Sequence, residues 1–187
     1  MRALPRRPRL QASSALLSRV AARPAACFVG VALLLGSAEA RAETVLGIEP
    51  RAALVVDDPL RFGPELGLTV GYSPDLYPLL LVPELELDAA IFPGSPLFGV
   101  GRALAGLRLG VTAAVEPSVY VHAGYGLSSS AGPDGVMHGF GLDAGAALDG
   151  RLSRGLTLGG TFGYQGLVAG DGSAHGLALG LRIGLWL

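Results

Sequence analysis

The sequence predicts an all-β protein, a transmembrane antiparallel up-and-down β-barrel of about eight strands. After residue 42, apolar residues recur at every second position in one segment after another, which is the period of a strand with two different faces. The chain has 29 glycines in 187 residues, about twice the usual ~7%. Most of those glycines fall inside the alternating segments, as expected where a narrow barrel interior leaves no room for side chains.

Residues 1–42 are predicted to be a signal peptide and not part of the fold. Arginines without any acidic residue precede an apolar run over residues 25–35, and residues 36–42 contain cleavage sites of the A-x-A type after Ala40 and Ala42. The apolar run is shorter than the roughly 20 residues that a spanning helix needs. Cleavage after Ala42 is the preferred prediction, and it leaves residues 43–187 as the barrel domain.

Composition excludes several kinds of chemistry. The only cysteine, Cys27, falls inside the leader, so the exported chain is predicted to have no disulfide, thiol chemistry or cysteine-based metal site. A net charge of −1 gives no reason to expect nucleic acid as a partner. His122, His138 and His175 are scattered without carboxylates at ligand spacing, so no metal and no cofactor is expected.

The first four alternating segments are separated by turn residues. We predict these strands over residues 45–56, 63–72, 80–92 and 100–112. Pro50 in the first of them suggests a bulge, since proline cannot donate to a strand ladder. The third shows the clearest alternation, with leucine, alanine and isoleucine against Glu84, Glu86 and Asp88.

The second four segments are shorter or richer in glycine. We predict these strands over residues 118–127, 136–148, 156–168 and 175–187. Glu116 with Pro117, and residues 149–155, are predicted to be turns. With eight strands both ends of the barrel chain lie on one side. The opposite side then carries the connections over residues 57–61, 93–98, 128–135 and 170–174.

The last strand is the most regular, because leucine or isoleucine occupies every odd position from 177 to 187. Its ending resembles the carboxy-terminal sorting signal of bacterial outer-membrane β-barrels, with Ala178 where that signal has a polar residue and leucine where it closes on phenylalanine. The positions that carry this resemblance are Gly180, Ile183, Leu185 and Leu187.

Alternation alone leaves open which face is buried. A soluble periplasmic barrel would bury the leucines and bind an apolar ligand inside, whereas a membrane barrel would turn them toward lipid. The polar face is rich in glycine, alanine and threonine, the apolar face is almost purely aliphatic, and the mean hydropathy is +0.49. These features favour the membrane barrel.

Ten charged residues fall on the face that such a barrel would turn inward. They are predicted to form a salt-bridged lumen network, because charges closed inside a protein must pair; a narrow ion path is the alternative. Strand neighbours place Glu84, Glu86 and Asp88 beside Arg102 and Arg108, and Arg182 can face Glu49 across the closing seam. The ten residues are Glu49, Arg51, Glu65, Glu84, Glu86, Asp88, Arg102, Arg108, Asp143 and Arg182.

Taken together, the export signal and the eight strands resemble the small eight-stranded outer-membrane β-barrels of Gram-negative bacteria, the OmpA-like and OmpX-like family. The resemblance implies an outer-membrane location, outer-membrane lipid and the barrel-assembly machinery as partners, and a porin-like barrel with a filled interior. It also implies two aromatic girdles, predicted at Phe92, Tyr125, Phe140 and Tyr164 on one rim and at Tyr72, Tyr77 and Trp186 on the other.

No catalytic residue is predicted. His122 and Asp143 fall on adjacent strands, but barrels of this kind that deacylate lipid A carry a His-x-Ser motif, and none of the three histidines is followed by it. The expectation is a non-enzymatic protein with a structural or surface role.

Overall fold

The computed structural model describes residues 42–56, 60–94, 97–130, 135–170 and 172–187, which form an eight-stranded antiparallel barrel. Each strand pairs with the next and β8 returns to β1, so the sheet closes. This confirms the predicted fold class. The predicted signal peptide lies outside the described residues except for Ala42. The strands are β1 (Ala42–Val55), β2 (Arg61–Pro74), β3 (Leu79–Phe92), β4 (Phe98–Val111), β5 (Val115–Ser130), β6 (Val136–Ser153), β7 (Leu156–Ala169) and β8 (Gly172–Trp186).

Several strands run further than predicted, most of all β5 and β6. The prediction of turns at Glu116 and over residues 149–155 is wrong, because Glu116 and Asp149 are a register pair within the β5–β6 ladder. Their turn-forming residue types misled the prediction, since both side chains are buried inside the barrel. The turn itself is limited to residues 154–155.

The predicted bulge at Pro50 is also wrong. Pro50 pairs with Leu66 in an unbroken register between β1 and β2. On its other side the β1–β8 register is interrupted at residues 49 and 50 and resumes unshifted at Arg51. Proline has no N–H to donate, so it is accommodated without shifting the register. The register does shift between Arg151 and Ser153, where β6 pairs with β7.

The apolar face of the sheet points outward and the charged face points inward, which is the reverse of a soluble barrel. Leucines on the outward parity are exposed, for example Leu85 at 54% and Leu87 at 60%, whereas Glu86 between them is 1% exposed. A soluble ligand-binding barrel would require an interior lined by leucines. The alternative of such a barrel is therefore wrong for the described residues. No helix in the described part of the chain is long and apolar enough to cross a membrane.

Apolar clusters lie inside the barrel toward both ends. At the near end, where β1 begins and β8 ends, Val45, Leu80 and Val82 pack together with Trp186. At the far end the cluster contains Phe92. The predicted girdle positions of Phe92 and Trp186 are thus wrong, because both residues share the parity of the inward charges. Exposed aromatic residues do remain on the outward face, at Tyr125, Phe140 and Tyr164, and Tyr77 is exposed in the turn between β2 and β3.

Inward glycines make room for the largest interior side chains. A Cβ atom on Gly180 would lie 2.6 Å from Cγ of Arg51, and one on Gly163 would lie 2.5 Å from the phenolic oxygen of Tyr120. Eight strands enclose an interior that side chains just fill. Gly180 and Gly163 therefore leave the space that Arg51 and Tyr120 occupy inside the barrel.

Candidate functional site

The ten predicted lumen residues all lie inside the barrel, and none is more than 6% exposed. They come from β1, β2, β3, β4, β6 and β8. Alternation of side chains along each strand turns them to the same side, and closure of the sheet brings them together. The candidate site is this lumen network.

Arg51 is the centre of the lumen network. Its Nη2 donates to Glu49 and Glu86, both at 2.6 Å, and its Nη1 donates to Asp143 at 2.7 Å and to Glu65 at 3.1 Å. These four carboxylates belong to β1, β2, β3 and β6, so one guanidinium joins strands on opposite walls of the barrel. A planar group with five donors is well suited to bridging several carboxylates.

A second group of ion pairs lies nearer the near end. Arg182 donates to Glu49 at 3.0 Å across the β1–β8 seam, to Asp149 at 2.8 Å and to Glu84 at 3.3 Å. Arg108 donates to the same oxygen of Glu84 at 2.9 Å. Glu49 therefore links this group to Arg51, and the interior forms one connected network.

A third group lies toward the far end. Arg102 donates to Asp88 at 2.8 Å and approaches Glu65 at 3.5 Å. The amide of Gln165 donates to the same oxygen of Glu65 at 2.7 Å. Glu86, which strand order had placed beside Arg102 and Arg108, instead bonds to Arg51.

His122 is held between two carboxylates. Its Nδ1 hydrogen-bonds to Glu86 at 2.6 Å, and its Nε2 lies within ion-pair distance of Glu84, at 3.2 Å, without a hydrogen bond. The ring also stacks on Tyr120, whose other contact is the guanidinium of Arg108 at 5.0 Å from the ring centroid. Among the described residues no hydroxyl hydrogen-bonds to His122, so the geometry does not include an activated nucleophile.

Two network residues were missed from the sequence. Asp149 bonds to Arg182, and Glu116 pairs with Arg151 at 2.8 Å near the near end. Parity could have identified both, because Asp149 is six residues from Asp143 and Glu116 is six residues from His122 on their strands. Their position next to glycine and proline directed the prediction to turns instead.

The lumen network contains more acids than bases. With Asp149 and Glu116 included, eight buried carboxylates of the described network are enclosed with four buried arginines and His122, and the partly exposed Arg151 pairs with Glu116. One oxygen each of Glu65, Asp88 and Asp143 is buried without a hydrogen-bond partner among those residues. The interior is therefore acidic even when His122 carries a charge. No group of three or more histidines, cysteines, aspartates or glutamates in the described segments is arranged to hold a metal ion.

The comparisons with known proteins bear on the fold. No protein-family model and no curated protein matches the sequence. The crystal structure of Neisserial surface protein A matches with a TM-score of 0.62 at 12% identity, over 76% of this chain and 96% of that chain. The chain shares the fold of the small eight-stranded outer-membrane barrels. At this identity the likeness concerns the fold alone.

Two further solved structures are similar to this barrel at a lower level. Ail, the attachment invasion locus protein of Yersinia pestis, matches with a TM-score of 0.48 at 13% identity, over 79% of this chain and 100% of that chain. The outer membrane enzyme PagL matches with a TM-score of 0.49 at 13% identity, over 72% of this chain and 97% of that chain.

Proposed function

We propose that the chain is a non-enzymatic β-barrel protein of the outer membrane of a Gram-negative bacterium, with a structural or surface role. The observation that carries this proposal is the inversion of the barrel. Aliphatic side chains cover the outside, while Glu49, Arg51 and Asp143 are almost completely buried. An outward apolar band around a polar interior is the arrangement that a bilayer requires of a spanning barrel.

A closed lumen is part of the proposal. The side chains in the middle of the lumen network are at most 2% exposed, so the interior is closed there; they are Glu49, Arg108, Asp143 and Arg182. The arginines that cross the interior tie opposite walls of the barrel together. This supports a structural plug in preference to an open path.

Export and insertion would involve three further partners. The leader of residues 1–42 would be removed after Ala42 by signal peptidase, and the barrel would contact outer-membrane lipid. The barrel-assembly machinery would recognise the end of β8 through Gly180, Ile183, Leu185 and Leu187. Leu187 is 72% exposed, and its main chain exchanges two hydrogen bonds with Thr44, so the side chain is presented from a fixed position.

The absence of enzyme activity is proposed from His122. The ring is 1% exposed and no hydroxyl of the described residues hydrogen-bonds to it, so no nucleophile lies where His122 could take its proton. Incubation of the purified barrel with acyl-ester lipids should release no fatty acid. Release that is lost in His122→Gln would contradict this part of the proposal.

The first experiment is cell fractionation followed by gel electrophoresis with and without boiling. Recovery in the outer membrane with a heat-dependent change in mobility is expected for a folded membrane barrel. The processed chain should begin at Glu43 by mass spectrometry. Recovery in the soluble periplasm without a mobility change would overturn the membrane assignment.

A narrow conducting lumen is the second candidate, and the acidic excess of the lumen network favours it. Eight buried carboxylates against five buried basic groups would select cations if the interior opened. Planar bilayer recordings distinguish the closed plug from the conducting lumen. The closed plug predicts no stepwise conductance, whereas cation-selective steps that disappear when Glu65 and Asp88 are replaced by amides would establish the pore.

A further inference from the structure

A groove runs along the outward face of β2 to β5. It encloses about 390 Å³ and is lined almost entirely by apolar side chains. Its floor consists of Ala89, Gly101 and Ala103, and its walls include Leu66 and Tyr125. Ala89 pairs with Gly101, and Ala103 pairs with Tyr125, so the small residues form a continuous depression between larger neighbours.

A polar pair lies at the far-end edge of this groove. The phenolic oxygen of Tyr125 lies 2.9 Å from Nδ1 of His138, and the two rings stack at 6.3 Å. Both side chains are exposed on the outward face. With the phenol donating to Nδ1, a neutral imidazole carries its proton on Nε2. This N–H is then open to an acceptor outside the barrel, because no described residue hydrogen-bonds to it.

A similar pair on the neighbouring hairpin provides a comparison. Tyr164 hydrogen-bonds to Nδ1 of His175 and stacks on its ring. In each hairpin the tyrosine pairs in register with the residue two positions after the histidine. However, Nε2 of His175 already lies 3.0 Å from the hydroxyl of Ser173. The two pairs therefore share their geometry but differ at the nitrogen that would meet a ligand.

We propose that the groove and the Tyr125–His138 pair form a binding site for one lipid molecule with a phosphate-bearing headgroup. An acyl chain lies over Ala89, Gly101 and Ala103, because an unfilled groove on a lipid-facing surface loses dispersion contacts. A phosphate oxygen accepts a hydrogen bond from Nε2 of His138. This inference rests on the proposed membrane location.

The test is native mass spectrometry of the folded, processed chain in detergent, titrated with phosphatidylglycerol. One molecule should remain bound per barrel, and diacylglycerol with the same chains should bind at least tenfold more weakly. Ala103→Leu, which fills the exposed floor, and His138→Phe, which keeps the ring and removes the N–H, should each weaken phosphatidylglycerol binding at least tenfold.

Two matched variants serve as controls. Ala146→Leu fills a second outward groove, which is lined by Leu109, Phe162 and other apolar residues, and His175→Phe alters the second tyrosine–histidine pair. Both variants should keep the affinity for phosphatidylglycerol within twofold of that of the native barrel. An equal loss in the controls, equal binding of diacylglycerol, or the absence of a stoichiometric lipid would overturn the site. A barrel that inserts into vesicles but retains no lipid refutes only this inference, whereas failure to insert refutes the proposed function as well.

Discussion

Arg51 on β1 donates a 2.7 Å hydrogen bond to Asp143 on β6, from one wall of the barrel to another. The two residues are 92 positions apart, and their strands are not neighbours in the sheet. The same guanidinium also holds Glu49, Glu65 and Glu86. A single side chain thus compensates the charge of carboxylates from four strands, and the barrel interior depends on it.

Replacing Arg51 by glutamine should destabilise the barrel strongly. Asp143 would lose its ion pair, and Glu49, Glu65 and Glu86 would keep only their other basic partners, among them Arg182, Arg102 and His122. Removing one partner of a buried ion pair costs about 3–5 kcal/mol. Urea titration of the folded barrel in lipid vesicles, followed by the heat-dependent gel shift, measures this loss. An Arg51→Gln barrel as stable as the native one would show that the contacts to Arg51 do not hold the fold.

Replacing Asp143 by asparagine should have little effect, in contrast to the arginine change. The amide oxygen still accepts from Arg51, and the substitution removes one negative charge from an interior that has an excess of them. The free energy of unfolding should fall by no more than about 1 kcal/mol, or rise, since the hydrogen bond from the charged Arg51, worth about 1.5–3 kcal/mol, is kept. A decrease in the free energy of unfolding as large as that of Arg51→Gln would refute an acidic excess in the interior.

Gly163→Ala should destabilise the barrel, and Tyr120→Phe should rescue it. The added Cβ would lie 2.5 Å from the phenolic oxygen of Tyr120, and overpacking of this kind costs about 1–3 kcal/mol. Removing that oxygen relieves the closest contact and leaves Oδ1 of Asp143 as the nearest atom, at 3.1 Å. The double variant should recover most of the lost stability in the same urea titration. Gly101→Ala is the control, because its Cβ meets no atom closer than 3.8 Å.

A charge on the outward face should cost more at mid-strand than at the rim. Leu85 lies in the middle of β3, and Val56 lies just past the end of β1. In a bilayer, arginine at the midplane costs about 2–4 kcal/mol and near the interface about 0–1 kcal/mol. Leu85→Arg should therefore lower the free energy of unfolding more than Val56→Arg does, when both variants are refolded into vesicles. Equal and negligible effects would indicate that the outward face meets water.

Leu187→Ala should reduce insertion in cells without reducing stability in vitro. The side chain is 72% exposed and its main-chain bonds to Thr44 are retained, so the folded barrel loses little packing. Leu181→Ala is the matched control, a leucine 60% exposed on the same face of β8. The amount of each variant in the outer membrane, set against its refolding yield into vesicles, measures the effect. Equal behaviour of the two variants would refute a sorting role for Leu187.

The sequence by itself determined the strand number, the two faces of each strand and the ten inward charges, because side chains in a strand alternate strictly and that pattern is local. Only the tertiary structure decided which partners meet inside. Glu86 bonds to Arg51 and His122 and not to the arginines of β4, and Asp143 bonds across the lumen. Such contacts depend on how far long side chains reach across a closed sheet, which no single strand encodes. Closure also placed Glu116 and Asp149, which look like turn residues, inside the barrel, where ion pairing outweighs their preference for turns.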